Sequence, residues 1–301
     1  MIEDLVRIGW PVGVLLGALL EALITVKWGR NGSGGRAIGS IGQSNDLGAY
    51  LALFSVMAFA LLAIPRATRT WWLALGTALL TAYGTVLSLS RGSLVALAAG
   101  LVVVAWRTWR PSVLLLVFVL AVTPLWAPDY LMERIKGSTV QVEGSDAETV
   151  DMATEARLET WRSILAVVKQ HPLDGIGFGG LSYVLPDVGA QLGLEEVKDS
   201  AHNSFLRMLS ELGVLGLIAF VAVLVQAWRV SDRAVRRARD AFERAVAVGA
   251  CGATVCLAVS SAFGDRFFSV IITSSFWMLI ALVESRIGTE EPGRVVAEGA
   301  R

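Results

Sequence analysis

Apolar residues in this chain fall in long runs, divided by short polar connections and one long polar segment, without the strict alternation of a barrel strand. The runs lie near 5–26, 46–65, 71–89, 92–107, 111–127, 204–228, 244–263 and 267–284. About 20 apolar residues suffice for a helix to cross a bilayer, and backbone in lipid must satisfy its own hydrogen bonds, so each run predicts a membrane-spanning helix. The expected fold is an all-α integral membrane protein: a polytopic helical bundle of eight transmembrane helices with one large extracytoplasmic loop that contains an amphipathic helix. Helices one to five fill 1–127, the loop 128–203 and helices six to eight 204–285, and a cytoplasmic tail covers 286–301.

Composition agrees with lipid as the solvent. The 301 residues are 54% hydrophobic and 17% charged, with a mean hydropathy of +0.61, which excludes an ordinary water-soluble domain. Zero formal net charge removes the bulk electrostatic case for a nucleic-acid partner. Cys251 and Cys256 share one span, separated by about 7.5 Å of rise and roughly 140° of rotation, so they read as apolar packing residues and not as a disulfide. No Cys and His spacing suits a metal, and no cofactor is expected. Glu3 and Asp4 precede the first run, which lacks a small-residue cleavage site and reads as a retained helix.

Orientation follows from the basic residues. The stretch WRVSDRAVRRARDAFER carries Arg229, Arg233, Arg236, Arg237, Arg239 and Arg244 and reads as a cytoplasmic connection. Counting crossings from it puts 128–203 outside and both termini in the cytoplasm. The loops with Arg66, Arg69, Arg107 and Arg110 fall inside; those with Arg30, Arg36, Arg91 and Gly264-Asp265-Arg266 fall outside. Trp71, Trp72, Trp106, Trp109, Trp126 and Trp228 stand near span ends, where interfacial belts form.

The long loop is where chemistry is expected, because unstructured loops beyond about 15 residues usually carry function. Its first part, GSTVQVEGSDAETVDM, is acidic and turn-rich. In ATEARLETWRSILAVVKQHP, Leu158, Trp161, Leu165 and Val168 form one predicted apolar stripe, flanked by Arg157 and Arg162 and ended by Pro172. The following LDGIGFGGLSYV has phosphate-loop glycines, but it follows a helix and lacks the rest of a nucleotide-binding unit. A turn that lets backbone approach a partner explains it better.

In DSAHNSFLRMLSELGVLGLIAF the loop enters the sixth span, with His202 at the mouth, Asn203 and Ser204 as N-cap candidates and Glu211 about two turns on. Histidine titrates near neutrality and suits proton transfer at such a surface; its bland alternative is a capping residue. Arg91, in LSLSRGSLVAL, lies between two minimal apolar runs, where a charge needs a counter-ion or water. An anionic ligand would serve, as would snorkelling at a tight turn.

Four stretches, IGQSNDLGAYLAL, LSLSRGSLVALAAG, ARLETWRSILAVVKQHPLDGIGFGG and AHNSFLRMLSELGVLGLI, in this order around one long external loop, resemble the O-antigen ligase and polysaccharide polymerase superfamily of bacterial membrane glycosyltransferases. The resemblance implies an inner-membrane enzyme with an extracytoplasmic site, which moves a glycan from an undecaprenyl-diphosphate carrier to an acceptor hydroxyl without metal. The acceptor would be lipid-anchored, such as lipid A core, or a carrier-linked repeat unit. Membrane lipids are partners and nucleic acid is not. Arg91, Arg157 and His202 become the catalytic candidates, with Arg36, Arg162, Asn203 and Glu211 as substrate-binding candidates. Such relatives carry about twelve spans against eight here, so four N-terminal helices would be absent from this chain or supplied by another. A small-anion transporter and a non-catalytic assembly subunit are the alternatives.

Overall fold

A computed structural model describes residues 2–28, 36–66, 68–108, 139–141, 148–150, 152–193 and 200–287. Its elements are α1 (Ile2–Trp28), α2 (Ser44–Leu61), α3 (Arg69–Leu87), α4 (Arg91–Thr108), β1 (Thr139–Gln141), β2 (Glu148–Val150), α5 (Met152–Gln170), α6 (Leu181–Gln191), α7 (Ser204–Arg237), α8 (Ala241–Ser261), a single 3₁₀ turn (Arg266–Phe268) and α9 (Val270–Ile287). The strands β1 and β2 pair antiparallel as a small ribbon. Among the described residues, α2, α3, α4, α7 and α8 are long and apolar enough to cross a membrane, and α9 adds a shorter apolar helix over 270–285.

Two of these helices form the centre. Leu51, Ala52, Val56 and Ala60 of α2 and Ala247, Ala250, Ala253 and Leu257 of α8 are buried. In lipid, helices associate through close packing of small residues rather than through expulsion of water. Gly100 of α4 and Gly252 of α8 show why: a Cβ on either would stand 3.0 Å from the other's carbonyl oxygen and 2.6 Å from Val56. The outward residues Leu79, Tyr83, Leu215, Ile218 and Val221 are exposed large apolar side chains, as a lipid-facing surface requires.

The helices alternate in direction, so the starts of α2, α4, α7 and α9 meet the ends of α3 and α8 at one end of the bundle. Contacts fix that meeting: Arg36 to Ser88, Ser93 to Asn45, Arg266 to Asp46 and Ser204 to Gly264. The opposite end gathers the basic residues. There Arg107 pairs with Asp232 at 2.7 Å and lies over Trp228 at 4.8 Å, while the Trp71 indole donates to the Leu62 carbonyl at 3.2 Å. Trp72 and Trp106 are exposed beside them, as the belt expectation requires.

Seven of the eight predicted spans coincide with helices, with shifted ends. The fifth, 111–127, lies outside the described residues, as do Arg30, Trp109, Arg110, Trp126, much of the acidic stretch and the expected tail beyond Ile287. The 46–65 run stops as helix at Leu61, ahead of Pro65. Residues 229–237, expected as part of a connection, continue α7. Val230, Ser231, Ala234 and Val235 keep a buried face at helical spacing, so packing carries the helix through the arginines and leaves only 238–240 as the turn.

The α5 stripe also differs. Leu158 and Leu165 are exposed, while Thr160, Ser163, Ile164 and Val167 face inward. Ile164 packs with Leu181, Leu185 and Ala201, joined at the edge by Trp161 and Val168. Small polar residues occupy the tight side of this helix, a choice that hydrophobicity alone does not reveal.

Candidate active site

Glycine decides how the long loop meets the bundle. Helix α7 breaks at Gly213, where φ is 67° and ψ is −168°, a conformation outside the helix. The break frees carbonyls of the turn before it and the N–H of Val214. The loop after α5 fills these vacancies: Ile176 N donates to Ser210 O at 3.0 Å, Gly177 N to Glu211 O at 2.9 Å, and Val214 N to Pro172 O at 2.9 Å. Buried backbone tolerates no such gap, so the loop completes the helix's own hydrogen bonding. Gly175, with φ of 67°, lets the chains approach, since a Cβ there would collide with the Glu211 backbone.

The short helix ahead of that break, 204–212, begins at His202 and Asn203. Asn203 caps it, its Oδ1 accepting from Phe205 N at 3.0 Å and Leu206 N at 3.2 Å. His202 is half-buried with φ of 48°, the left-handed region that non-glycine residues rarely occupy. Two elements hold it there. From α5, the Trp161 indole donates to the Ala201 carbonyl at 2.9 Å. From the turn after α8, Asp265 accepts from Ser200 Oγ at 2.6 Å and Asn203 N at 3.1 Å, while His202 N donates to Ser200 Oγ at 3.3 Å.

Arg207, one turn into α7, donates from Nε to Glu211 Oε1 at 3.1 Å and stands 3.5 Å from Asp265 Oδ2. Its guanidinium lies 4.0 Å from the centre of the Phe268 ring, a cation–π contact. Glu211 is 1% exposed, with Oε2 buried and without a hydrogen-bond partner.

A second polar group adjoins the starts of α2 and α4. Arg36 donates from Nε to the Ser88 carbonyl at 3.0 Å and from Nη2 to Asn45 Oδ1 at 2.7 Å. Arg266, only 6% exposed, pairs with Asp46. Burial, and then the nearby Arg36 guanidinium, push the Arg266 pKa down to about 10, which leaves it cationic at neutral pH. Glu21 accepts from Ser40 N at 2.9 Å and from the Ser40 hydroxyl. Arg91 is the first residue of α4, and the next, Gly92, packs directly under Phe263, two residues before Asp265.

The sequence candidates therefore divide. Arg91, His202 and Asn203 lie around the 263–267 turn, and Arg36 joins them through Ser88 and its neighbour Arg266. Arg157 is half-buried one turn before Trp161, with its Nε enclosed. Arg162 lies about 140° around α5 from Arg157 and is exposed. Glu211 sits beneath the LDGIG loop. Sequence reasoning missed Asp46, Arg207, Asp265 and Arg266. Asp46 and Arg207 stood inside recognised motifs, and the Asp265-Arg266 pair between two apolar runs was a signal read only for topology.

These features define a polytopic helical membrane protein with a polar, arginine-rich site at one end of its bundle. A family model described as O-antigen ligase matches residues 76–221, so that stretch is similar to the O-antigen ligase family. The match contains Arg91, Arg157, His202 and Arg207; Arg36, Asp46, Asp265 and Arg266 lie outside it. Comparison with curated proteins gives no match.

Proposed function

We propose that this protein transfers a glycan from an undecaprenyl-diphosphate carrier to an acceptor hydroxyl at the outer face of the bacterial cytoplasmic membrane, with both termini inside. The observation that carries the reading is His202, held in a left-handed turn at the mouth of α7, at the same bundle end as Arg36, Arg91 and Arg266. In this reading the acceptor oxygen attacks the anomeric carbon, and His202 takes its proton. The bond from that carbon to the diphosphate oxygen breaks, and undecaprenyl diphosphate departs with inversion at the anomeric centre. Arg91 and Arg157 bind the diphosphate, since a guanidinium fork matches its oxygens and neutralises charge as the leaving group departs. Arg36 and Asn203 extend the site towards the glycan, with Arg162 as a further substrate contact, whereas Glu211, expected from the sequence to bind substrate, is buried against Arg207 and supports the site from beneath. Lipid A core, another anchored acceptor or a second carrier-linked repeat unit would supply the hydroxyl.

The cluster of Arg36, Asp46, Arg91, Asp265 and Arg266 lies at a bundle end and not at mid-helix, which supports transfer over transport, where polar groups near the bilayer midplane are favoured. The test is transfer in native membranes from the carrier-linked oligosaccharide extracted from the source strain. His202→Ala should lower kcat by about 10² to 10⁴ with donor KM little changed. Arg91→Lys and Arg157→Lys should fail as Arg→Ala does, and transfer should continue in EDTA. Wild-type transfer by both Arg157→Ala and His202→Ala, at matched abundance, would overturn the assignment.

A further inference from the structure

His202 is gripped from both sides by one carboxylate that comes from a distant hairpin. Asp265 receives the Ser200 hydroxyl through Oδ2 and the Asn203 amide through Oδ1, the residues two before and one after the histidine. Ser204 Oγ adds a bond to the Gly264 carbonyl at 3.1 Å, and Phe267 N donates to Ser204 Oγ at 3.3 Å, so the two segments are joined over several residues. Capping α7 needs none of this, because Asn203 already satisfies the first amides. The left-handed turn at His202 is what the extra bonds maintain, at a conformation that costs an L-residue roughly 1 to 2 kcal/mol.

Arg207 completes the arrangement. It lies against Asp265, takes Glu211 on its other side and stacks on Phe268, so three groups fix a guanidinium that in turn fixes Asp265. Glu211 is buried almost completely, and a carboxylate so placed is tolerated when a cation meets it. Such a network is rigid because each member is held by its neighbours.

We propose that Asp265 and Arg207 are positioning residues, which hold the His202 turn so that its imidazole meets the acceptor hydroxyl in one orientation. The inference rests on His202 as the proton acceptor. Neither residue touches the reacting atoms; both act through the histidine.

The experiment measures transfer of the extracted carrier-linked oligosaccharide in native membranes. Asp265→Asn and Arg207→Gln are compared in the wild-type and His202→Ala backgrounds, at abundance matched by immunoblot. Each single change should lower kcat roughly 10- to 100-fold, the scale of a reacting group displaced by about 1 Å, with donor KM within about twofold. In the His202→Ala background the same changes should alter the residual rate by less than about twofold, because a residue that acts only through His202 has nothing left to position. Ser200→Ala, which removes one hydroxyl of the clamp and is the gentlest change to folding, should lower kcat several-fold in the wild-type background. Unchanged kcat in Ser200→Ala and Asp265→Asn, or a full multiplicative loss in the double variants, would overturn the inference while leaving His202 in place. Wild-type transfer by His202→Ala would instead remove the reading beneath it.

Discussion

Gly177 donates its backbone N–H to the carbonyl of Glu211 at 2.9 Å, so a loop upstream of the sixth predicted span supplies a hydrogen bond that its own helix gives up. The break in α7 and the glycine-rich loop are one device. It seats the 204–212 helix, with His202 at its start, under the loop that follows α5 and not simply on top of a straight helix.

Gly213 should therefore resist substitution. Alanine there meets a positive φ and would collide with the Leu173 carbonyl, which belongs to backbone and has no rotamer to move. Gly213→Ala should cost on the order of 2 to 4 kcal/mol and lower the thermal midpoint of the detergent-purified protein. Gly76→Ala in α3, where a Cβ meets nothing within 4 Å, should hold or raise that midpoint. Equal midpoints for the two variants would refute the role given to the break.

Trp161→Phe separates anchoring from packing. Phenylalanine keeps an aromatic ring beside Ile164 but cannot donate to the Ala201 carbonyl. Loss of this bond should cost about 1 kcal/mol of stability. Because Ala201 adjoins His202, transfer should fall by a larger factor than the protein's abundance does. A drop in activity that only tracks abundance would reduce Trp161 to a packing residue.

Topology is tested by impermeant thiol labelling in a background where Cys251 and Cys256, both buried, are replaced by alanine. Ser182 is exposed on α6 and Arg239 in the turn between α7 and α8. Ser182→Cys should label in intact spheroplasts, and Arg239→Cys only after lysis. Ser231 would be an ambiguous reporter, because it is buried in α7 and would stay silent on either side. The reverse labelling pattern would move the candidate site to the cytoplasmic face.

Much of the fold was legible because lipid imposes a simple rule: a run of apolar residues has few alternatives to a helix. The sequence by itself determined the helical membrane class, the positions of seven described helices to within a few residues at most ends, and the arrival of Arg91 and His202 at one end through alternating direction. It also marked the GIGFGG turn as a place of close backbone approach. Two differences share a physical cause. Hydrophobicity grouped Leu158 and Leu165 with Trp161 and Val168 in one apolar stripe and ended the sixth run at residue 228, whereas tertiary packing selected Thr160 and Ser163 for the tight side of α5 and carried helix α7 on to Arg237. Only the tertiary structure decided the break at Gly213, the pairing of Arg266 with Asp46 and the grip of Asp265 on the His202 turn. Each joins residues far apart in the chain, and their energies depend on which groups burial brings into contact, a quantity that no local pattern of residues contains.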